Sequence, residues 1–267
     1  MENKELSGAE RVNPYDDRRA KSEQVEEMFD SIAPAYDFMN NAMTFGLHRH
    51  WRNTAIRHGG RAIPYKAGFN ALDVATGTGD VALYLHKLYP NADIVGVDIS
   101  EGMLKIARDK LSKLEQGSWG ERCRKHGWDG TLTFSQGDSL HLDFPDDSFD
   151  LITVAYGVRN FEHLEQGLRE LERVLKPCGV ICIIELSEPE TPFVRSLYRF
   201  YSRRMIPAVG KMASGDKRAY SYLPESIAAA PQRRDMAEVM KRAGFVKIRW
   251  KSLTFGAVTY YLAEKGY

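Results

Sequence analysis

ALDVATGTGDVALYL, residues 71–85, runs a short apolar strand into a glycine turn and then into a helix. A turn of this kind brings main-chain N–H groups up to a ligand at the start of a helix. Within it, Gly77 to Ala82 fits the loose pattern G-x-G-x-x-A, and Gly77 is a candidate cofactor-binding residue. Asp98 follows about 20 residues later, at the end of the next apolar run, where a carboxylate can accept from both ribose hydroxyls. A tight turn without a ligand is the plainer alternative. The acid at the right distance favours a nucleoside-bearing cofactor.

Outward from the turn the chain alternates. Apolar runs at 69–74, 93–98, 131–136, 149–155 and 179–186 read as strands, and GDVALYLHKLY, SEGMLKIARDKLSKLE and EQGLRELERVLK read as helices between them. Strand–helix alternation with strands apolar on both sides predicts a parallel sheet covered on both faces. FVKIRWKSLTFGAVTYYLAEK, residues 245–265, instead has two β-rich runs joined near Phe255–Gly256, too close together for a helix, so they pair as an antiparallel hairpin. The fold class expected is α/β: a Rossmann-like, seven-stranded, mostly parallel sheet with an antiparallel C-terminal hairpin and an N-terminal helical extension. Residues 1–22 read as a flexible polar tail and 23–267 as one domain. Inside that domain, 23–60 reads as a helical lid broken by Pro34 and Gly46, and 187–230 as an insertion.

Three features favour S-adenosylmethionine over a pyridine dinucleotide. Asp73 and Asp80 bracket the turn, where they would repel a pyrophosphate and attract a sulfonium with its α-amino group. Asp138 and Ser139 fall just past the third strand, where a carboxylate can accept from an adenine amino group. A C-terminal antiparallel hairpin is also foreign to the usual dinucleotide fold.

Composition removes other classes. The net charge of +1, from 37 basic and 36 acidic residues, argues against nucleic acid as the main partner. Cys123, Cys178 and Cys182 lack zinc-site spacing and the histidines form no HxxxH or HExxH pattern, so no metal is expected and the compartment is read as reducing. The N-terminus has no signal-peptide core, and no apolar run approaches the ~18 residues of a spanning helix. A cytoplasmic protein is expected, with peripheral contact at the inner face of a membrane as an open variant; a homodimer is also left open.

FDSIAPAYDFMNNAMTFGLHRHWR, LDVATGTGDVA, VDISEGML, FPDDSFDLITVAYGVRNF, LRELERVLKP, YSYLPESI and AGFVKIRWKSLTFGAV together resemble the UbiE/MenG/COQ5 family of quinone-biosynthesis C-methyltransferases, within the class I methyltransferases. The resemblance covers nearly the whole chain from Ser22, and the first, fourth and last stretches are the family-specific ones. It implies S-adenosylmethionine held by Thr78, Asp98, Asp138 and Ser139, with Ala155 making only main-chain contact. It also implies a lipophilic polyprenyl quinol substrate, demethylmenaquinol or the matching ubiquinone-pathway ring. Methylation of another small lipophilic acceptor, or a non-catalytic cofactor-binding role, are the alternatives. Cys178 and Phe255 stand where relatives carry glycine; Cys178 is not expected to need a positive φ. Residues 115–130 read as a surface insertion.

The chemistry is expected on AYGVRNF, residues 155–161, at the end of the fourth strand. A ring carbon becomes nucleophilic when the neighbouring hydroxyl loses its proton, and a phenol's pKa is about 10, so the site must stabilise phenolate. Arg159 is assigned that role because it stays cationic, against a structural ion pair. Asn160 positions substrate or cofactor, and Tyr156 is either catalytic or a wall. His48, His50, His141 and His163 are read as structural or surface groups rather than bases. Tyr36, Met39, Met43, Phe45 and Trp51 divide evenly between core packing and an apolar lid. On a helical wheel Phe193, Val194, Leu197, Phe200, Tyr201 and Met205 oppose Arg195, Arg199 and Arg203; core packing is favoured slightly over a membrane-facing basic amphipathic helix.

Overall fold

Every apolar run becomes a strand. The computed structural model describes residues 8–16, 18–63, 68–200 and 217–267. β1 (Asn70–Val74), β2 (Asp93–Asp98), β3 (Leu132–Gln136), β4 (Phe149–Ala155), β5 (Leu175–Leu186), β6 (Phe245–Leu253) and β7 (Val258–Lys265) form one sheet in the order β3-β2-β1-β4-β5-β7-β6. The first five strands pair in parallel, and β7 runs antiparallel between β5 and β6. Strand order reverses between β1 and β4, the switch point where open α/β sheets bind ligands.

α1 (Lys21–Thr44), α2 (Leu47–Ala62), α3 (Asp80–Leu88), α4 (Glu101–Gln116), α5 (Ser118–His126), α6 (Leu164–Val174), α7 (Pro192–Phe200), α8 (Lys217–Ala229) and α9 (Arg234–Arg242) surround the sheet. Apolar residues at helical spacing explain their placement: Leu164, Leu168, Leu171 and Val174 bury one face of α6 against Leu72, Ile152 and Ile183. On the opposite sheet face Trp51, Ala55 and Ile56 of α2 join Val81 and Leu85 of α3. α4 starts where Ser100 caps it, its Oγ accepting from Met103 N at 3.1 Å. No helix among the described residues is long and apolar enough to cross a membrane.

Several expectations need correction. Pro34 does not break the first helix: α1 runs through it to Thr44, and Gly46, at φ 77°, makes the only break before α2. An interior proline costs a helix about 3 kcal/mol. Buried Ile32, Ala33 and Met39 on either side, with the clips described below, hold the two halves in line. Residues 8–16 are not a solvated tail. Ala9 is 2% exposed, and Gln24, fully buried, accepts from Tyr15 N and Asp16 N at 2.8 and 2.7 Å and donates to Asp16 O and Arg19 O. The 115–130 segment is largely at the surface, as expected, but it forms α5 and is anchored by Trp119, buried against His86. Cys178 does adopt a positive φ of 61°, because the KPCG turn is folded tightly into the start of β5. α7 is not core: none of its residues is buried, and Phe193, Leu197 and Phe200 are exposed, while Tyr201, Arg203 and Met205 lie outside the described residues.

Gln24 therefore staples the N-terminal strap. Gln24→Leu strands buried main-chain groups at about 1–3 kcal/mol each. The variant is expected to unfold at lower denaturant concentration and to be cut sooner by protease between residues 8 and 20; unchanged cleavage there would show that the strap is held by other contacts.

Candidate active site

Two turns meet at the switch point. After β1 the chain turns through Ala75 at φ 53°, Gly77 at 56° and Gly79 at 77°. A Cβ on Gly79 would sit 2.8 Å from Ala107 Cβ and from the Phe134 ring, so only glycine lets α3 start there. After β4, Tyr156 adopts φ 61°, and a short 3-10 turn covers Val158–Asn160. Left-handed backbone at a tyrosine is a strained arrangement of the kind that gathers at functional sites. Its surroundings over-determine it. Tyr156 N donates to Ile184 O at 2.7 Å, Arg159 N to Glu185 Oε2 at 3.3 Å, Lys21 Nζ to Arg159 O at 3.2 Å, and Tyr222 Oη to Asn160 Oδ1 at 3.1 Å.

Between the turns lies a small crevice lined by Gly77, Asp98, Asp138, Ser139, Tyr156 and Asn160, with α1 across its top. Asp98 is 8% exposed; its Oδ2 accepts from Gly77 N at 2.7 Å and its Oδ1 from Ser100 N at 3.0 Å. Each oxygen keeps acceptor capacity for a ribose hydroxyl. Burial raises the carboxyl above its ordinary range, against the pull of these N–H groups, so further donors or a cation would favour its ionised form. Asp138 Oδ1 accepts from Leu140 N at 2.9 Å, which fixes the turn after β3. Glu162 also lines the crevice and accepts from Ser22 N at 3.3 Å, while no Lys, Arg or His is among the lining residues. A site of carboxylates without cations fits a sulfonium with an α-amino group and disfavours a pyrophosphate.

The acids assigned to that effect are different ones. Asp73 is buried beneath the turn, accepting from Thr76 and Thr153 hydroxyls at 2.6 Å each, with burial raising its pKa to about 6. Asp80 is paired with Arg52 at 2.7 Å and Lys110 at 2.8 Å; burial alone would raise its pKa, but these charges bring it down to about 2. Both are committed within the protein. Thr78 is also placed apart from the crevice. Its hydroxyl donates to Asp37 at 2.6 Å and accepts from Lys110 at 2.8 Å.

A second, larger cavity of about 660 Å³ opens beside the crevice. Phe29, Tyr36, Ala75, Gly77, Ala155 and Tyr156 line both. Its wall is mainly apolar, and all five residues read as either core or lid line it: Met39 and Trp51 are buried, Tyr36 and Met43 are half-buried, and Phe45 is 82% exposed. Arg159 reaches this cavity rather than the crevice. The structural ion pair weighed against it is present: its guanidinium meets Glu185 at 2.8 Å and also donates to Tyr156 O, while its Nε has no partner among the described residues. Burial opposes its charge, but Glu185 raises its pKa, so it stays cationic. Tyr156 Oη is also buried and unpartnered, and burial keeps the phenol neutral. Glu185 escaped the sequence reading, although one acid inside the apolar run GVICIIEL was a visible signal.

His50, His141 and His163 are exposed and His48 is buried. Two clips tie α1 over the crevice. Asp30 Oδ1 accepts from Ser100 Oγ and from Gly102 N at 3.0 Å, and Asp37 pairs with Lys110 while accepting from Thr78.

A model of the ubiE/COQ5 methyltransferase family matches residues 17–265. A demethylmenaquinone methyltransferase of Bacteroides fragilis is 43% identical over 257 residues, covering 96% of this chain and 98% of that one. The ubiquinone/menaquinone biosynthesis C-methyltransferase UbiE of Geobacter sulfurreducens is 40% identical, covering 92% and 90%. Among solved structures, a SAM-dependent methyltransferase of Thermotoga maritima superposes with a TM-score of 0.57 at 17% identity, over 90% of this chain and 99% of that one.

The crevice holds about 80 Å³, well below the ~300–1,000 Å³ of ligand pockets. Admission of a nucleoside therefore requires α1 to shift. Lys110→Met removes the cation shared by Asp37 and Asp80, and it is expected to speed exchange of bound adenosylhomocysteine and amide exchange across residues 21–44. Unaltered rates in both measurements would show that this clip does not hold α1.

Proposed function

The chain belongs to the ubiE/COQ5 methyltransferase family, and from that premise we propose that it methylates a ring carbon of a polyprenylated hydroquinone, converting demethylmenaquinol to menaquinol. S-adenosylmethionine is the cofactor, and the equivalent ubiquinone-pathway ring is compatible with the relatives' names. Near-full-length relatives named as methyltransferases set aside a non-catalytic binding role.

One observation carries the acceptor half of this reading. Tyr156 Oη and Arg159 Nε are buried donors without partners, on residues lining a mainly apolar cavity next to the crevice. Buried donors left unpaired cost about 1–3 kcal/mol each, so their presence points to a ligand oxygen that completes them. A hydroquinone hydroxyl on a greasy ring is such a group.

In the crevice Asp98 would hold the ribose diol, Asp138 and Ser139 the adenine edge, and Gly77 the close main-chain approach. When bound, the cofactor supplies an electrophilic methyl on a sulfonium. The protein's own part is to orient the ring and stabilise charge on its oxygen. Arg159, held by Glu185 and by Tyr156 O, offers a fixed cation that does not lose its proton. Tyr156, neutral through burial, donates without competing for the proton. Asn160, oriented by Tyr222 Oη, keeps its amide N–H₂ for the ligand. Thr78 is assigned to holding α1 instead of the cofactor.

The cavity mouth supports a peripheral membrane contact. Phe45, Leu197, Phe200 and Phe255 line the cavity yet are 60–82% exposed, and Phe193 beside them is 79% exposed. A prenyl tail threaded through this rim stays in an apolar medium. The basic residues of α7 are engaged by the protein itself: Arg195 donates to Pro189 O and Glu190 O, and Arg199 pairs with Glu188 at 2.6 Å. The contact is therefore apolar rather than electrostatic.

Arg159→Ala is expected to bind S-adenosylmethionine with near-normal affinity by titration calorimetry and to lose roughly 100-fold or more in turnover, as for removal of an oxyanion partner. Assayed against a panel of short-chain demethylated naphthoquinols and benzoquinols, the wild-type protein gains one methyl on ring carbon by mass spectrometry; lack of any methylated quinol would refute the proposed substrate class. Phe193→Ser with Leu197→Ser and Phe200→Ser is expected to abolish flotation with vesicles, and flotation of the parent protein is expected to survive high salt. Loss of parent flotation in salt would instead indicate an electrostatic surface.

A further inference from the structure

The reading above leaves open where the acceptor's proton goes. Arg159 cannot take it, and Tyr156 is already protonated. Of the remaining residues that line the cavity, Asp73 and Asp80 are committed to hydroxyls and cations. His48 is the group left, and one of its ring nitrogens is held by Thr44.

Thr44 carries one hydroxyl hydrogen. Its Oγ donates that hydrogen to Asn40 O at 2.6 Å, one turn earlier in α1. The same Oγ lies 2.7 Å from His48 Nδ1. When that hydrogen is on Asn40 O, Thr44 accepts from the ring and Nδ1 carries the proton, which is the tautomer the proposal takes and the NMR measurement below tests. In that neutral ring the lone pair is on Nε2, and the residue lines the cavity while being only 6% exposed.

We propose that His48 is a catalytic residue whose Nε2 accepts the hydroxyl proton of the hydroquinone while Thr44 holds the ring through Nδ1. This rests on the proposed acceptor class. In the step, the O–H bond breaks, an N–H bond forms at Nε2, and the electron pair stays on oxygen, where Arg159 balances it. Conjugation then places that charge on the neighbouring ring carbon. Later loss of the ring hydrogen restores aromaticity, and the imidazolium returns its proton to the oxygen, so one proton per turnover reaches solvent.

The environment keeps the base in its working form. Burial first, then the nearby Arg52 and Arg49, lower the His48 pKa to about 4, while Asp80 and Asp37 pull the other way. The imidazole is therefore neutral at neutral pH, and the phenolate formed beside it supplies the countercharge that stabilises its protonated state during the step. Arg52 links the two ends of the site, since its charge acts on both His48 and Tyr156.

The test uses the full chain with S-adenosylmethionine and a short-chain demethylnaphthoquinol. His48→Ala is expected to lose about 10²–10⁴-fold in single-turnover rate while cofactor affinity is kept, and added imidazole is expected to restore part of the rate. Thr44→Val, which keeps the imidazole but frees its tautomer, is expected to fall between His48→Ala and the parent; His50→Ala, on the exposed face, is expected to match the parent. Nitrogen-15 NMR of histidine-labelled protein is expected to show His48 protonated at Nδ1 and unprotonated at Nε2 at neutral pH. The inference is overturned by an Nε2–H tautomer, by a His48→Ala rate within threefold of the parent, or by a loss that imidazole does not rescue in a variant whose unfolding midpoint is unchanged. If His48→Ala fails to fold, His48→Gln and Thr44→Val, read with the NMR tautomer, decide the matter. Failure of the parent itself to methylate any quinol would refute the substrate class and this inference together.

Discussion

The protein sorts charge by site. Asp98, Asp138 and Glu162 line the crevice with no cationic side chain among its lining residues, whereas Arg52 and Arg159 line the adjoining cavity, where Asp80 is neutralised by Arg52 and Lys110 and Asp73 is buried against two hydroxyls. The two reactants need opposite fields: one carries a positively charged sulfur, the other develops negative charge on a ring oxygen. At about 4 Å, a unit charge in a site of intermediate polarity is worth about 4 kcal/mol, enough to decide which ligand enters which side. Tyr156, Tyr36 and Gly77 line both spaces and form the neutral wall across which the two fields meet. Once the methyl has left, sulfur is neutral, so the crevice loses part of its hold on the spent cofactor.

That sorting follows from the sheet. β1 and β4 are neighbours but lead in opposite directions through the topology, so their following turns open toward each other. The β1 turn gives main-chain approach through positive-φ glycines. The β4 turn gives side chains, because Tyr156 takes the strained conformation that aims its phenol and Arg159 into the site. Strain of this kind persists only when held, and the Glu185 ion pair, Lys21 and Tyr222 all hold it. The N-terminal strap belongs to the same scaffold, since Lys21 donates to both Ala9 O and Arg159 O.

What was legible in the sequence was whatever depends on local pattern. Period-two and continuous apolar runs marked all seven strands, and the lack of residues for a helix between 253 and 258 fixed the sense of the final hairpin. Gly77, Asp98, Asp138, Ser139, Tyr156 and Asn160 do converge on one crevice, because each follows the carboxyl end of a strand or packs on the turn after it. What was not legible depends on pairing across long sequence separations. Nothing near Asp80 announces that Arg52 and Lys110 will neutralise it, and nothing near Thr78 announces Asp37. Pro34 misled for the same reason: tertiary clips on α1 override a local helix-breaking preference.

α1 and α2 couple the two halves of the site. Phe29 and Tyr36 of α1 line both spaces, Asp30 and Asp37 clip the helix to α4 and the glycine turn, and Thr44 at its end orients His48 of α2. A shift of α1 that opens the crevice therefore also disturbs the wall of the cavity and the ring that would take the proton. By linkage, a ligand shifts the position of α1 only by its difference in affinity for the open and closed forms. Contacts with Asp98 and the α1 residues supply that difference for the cofactor.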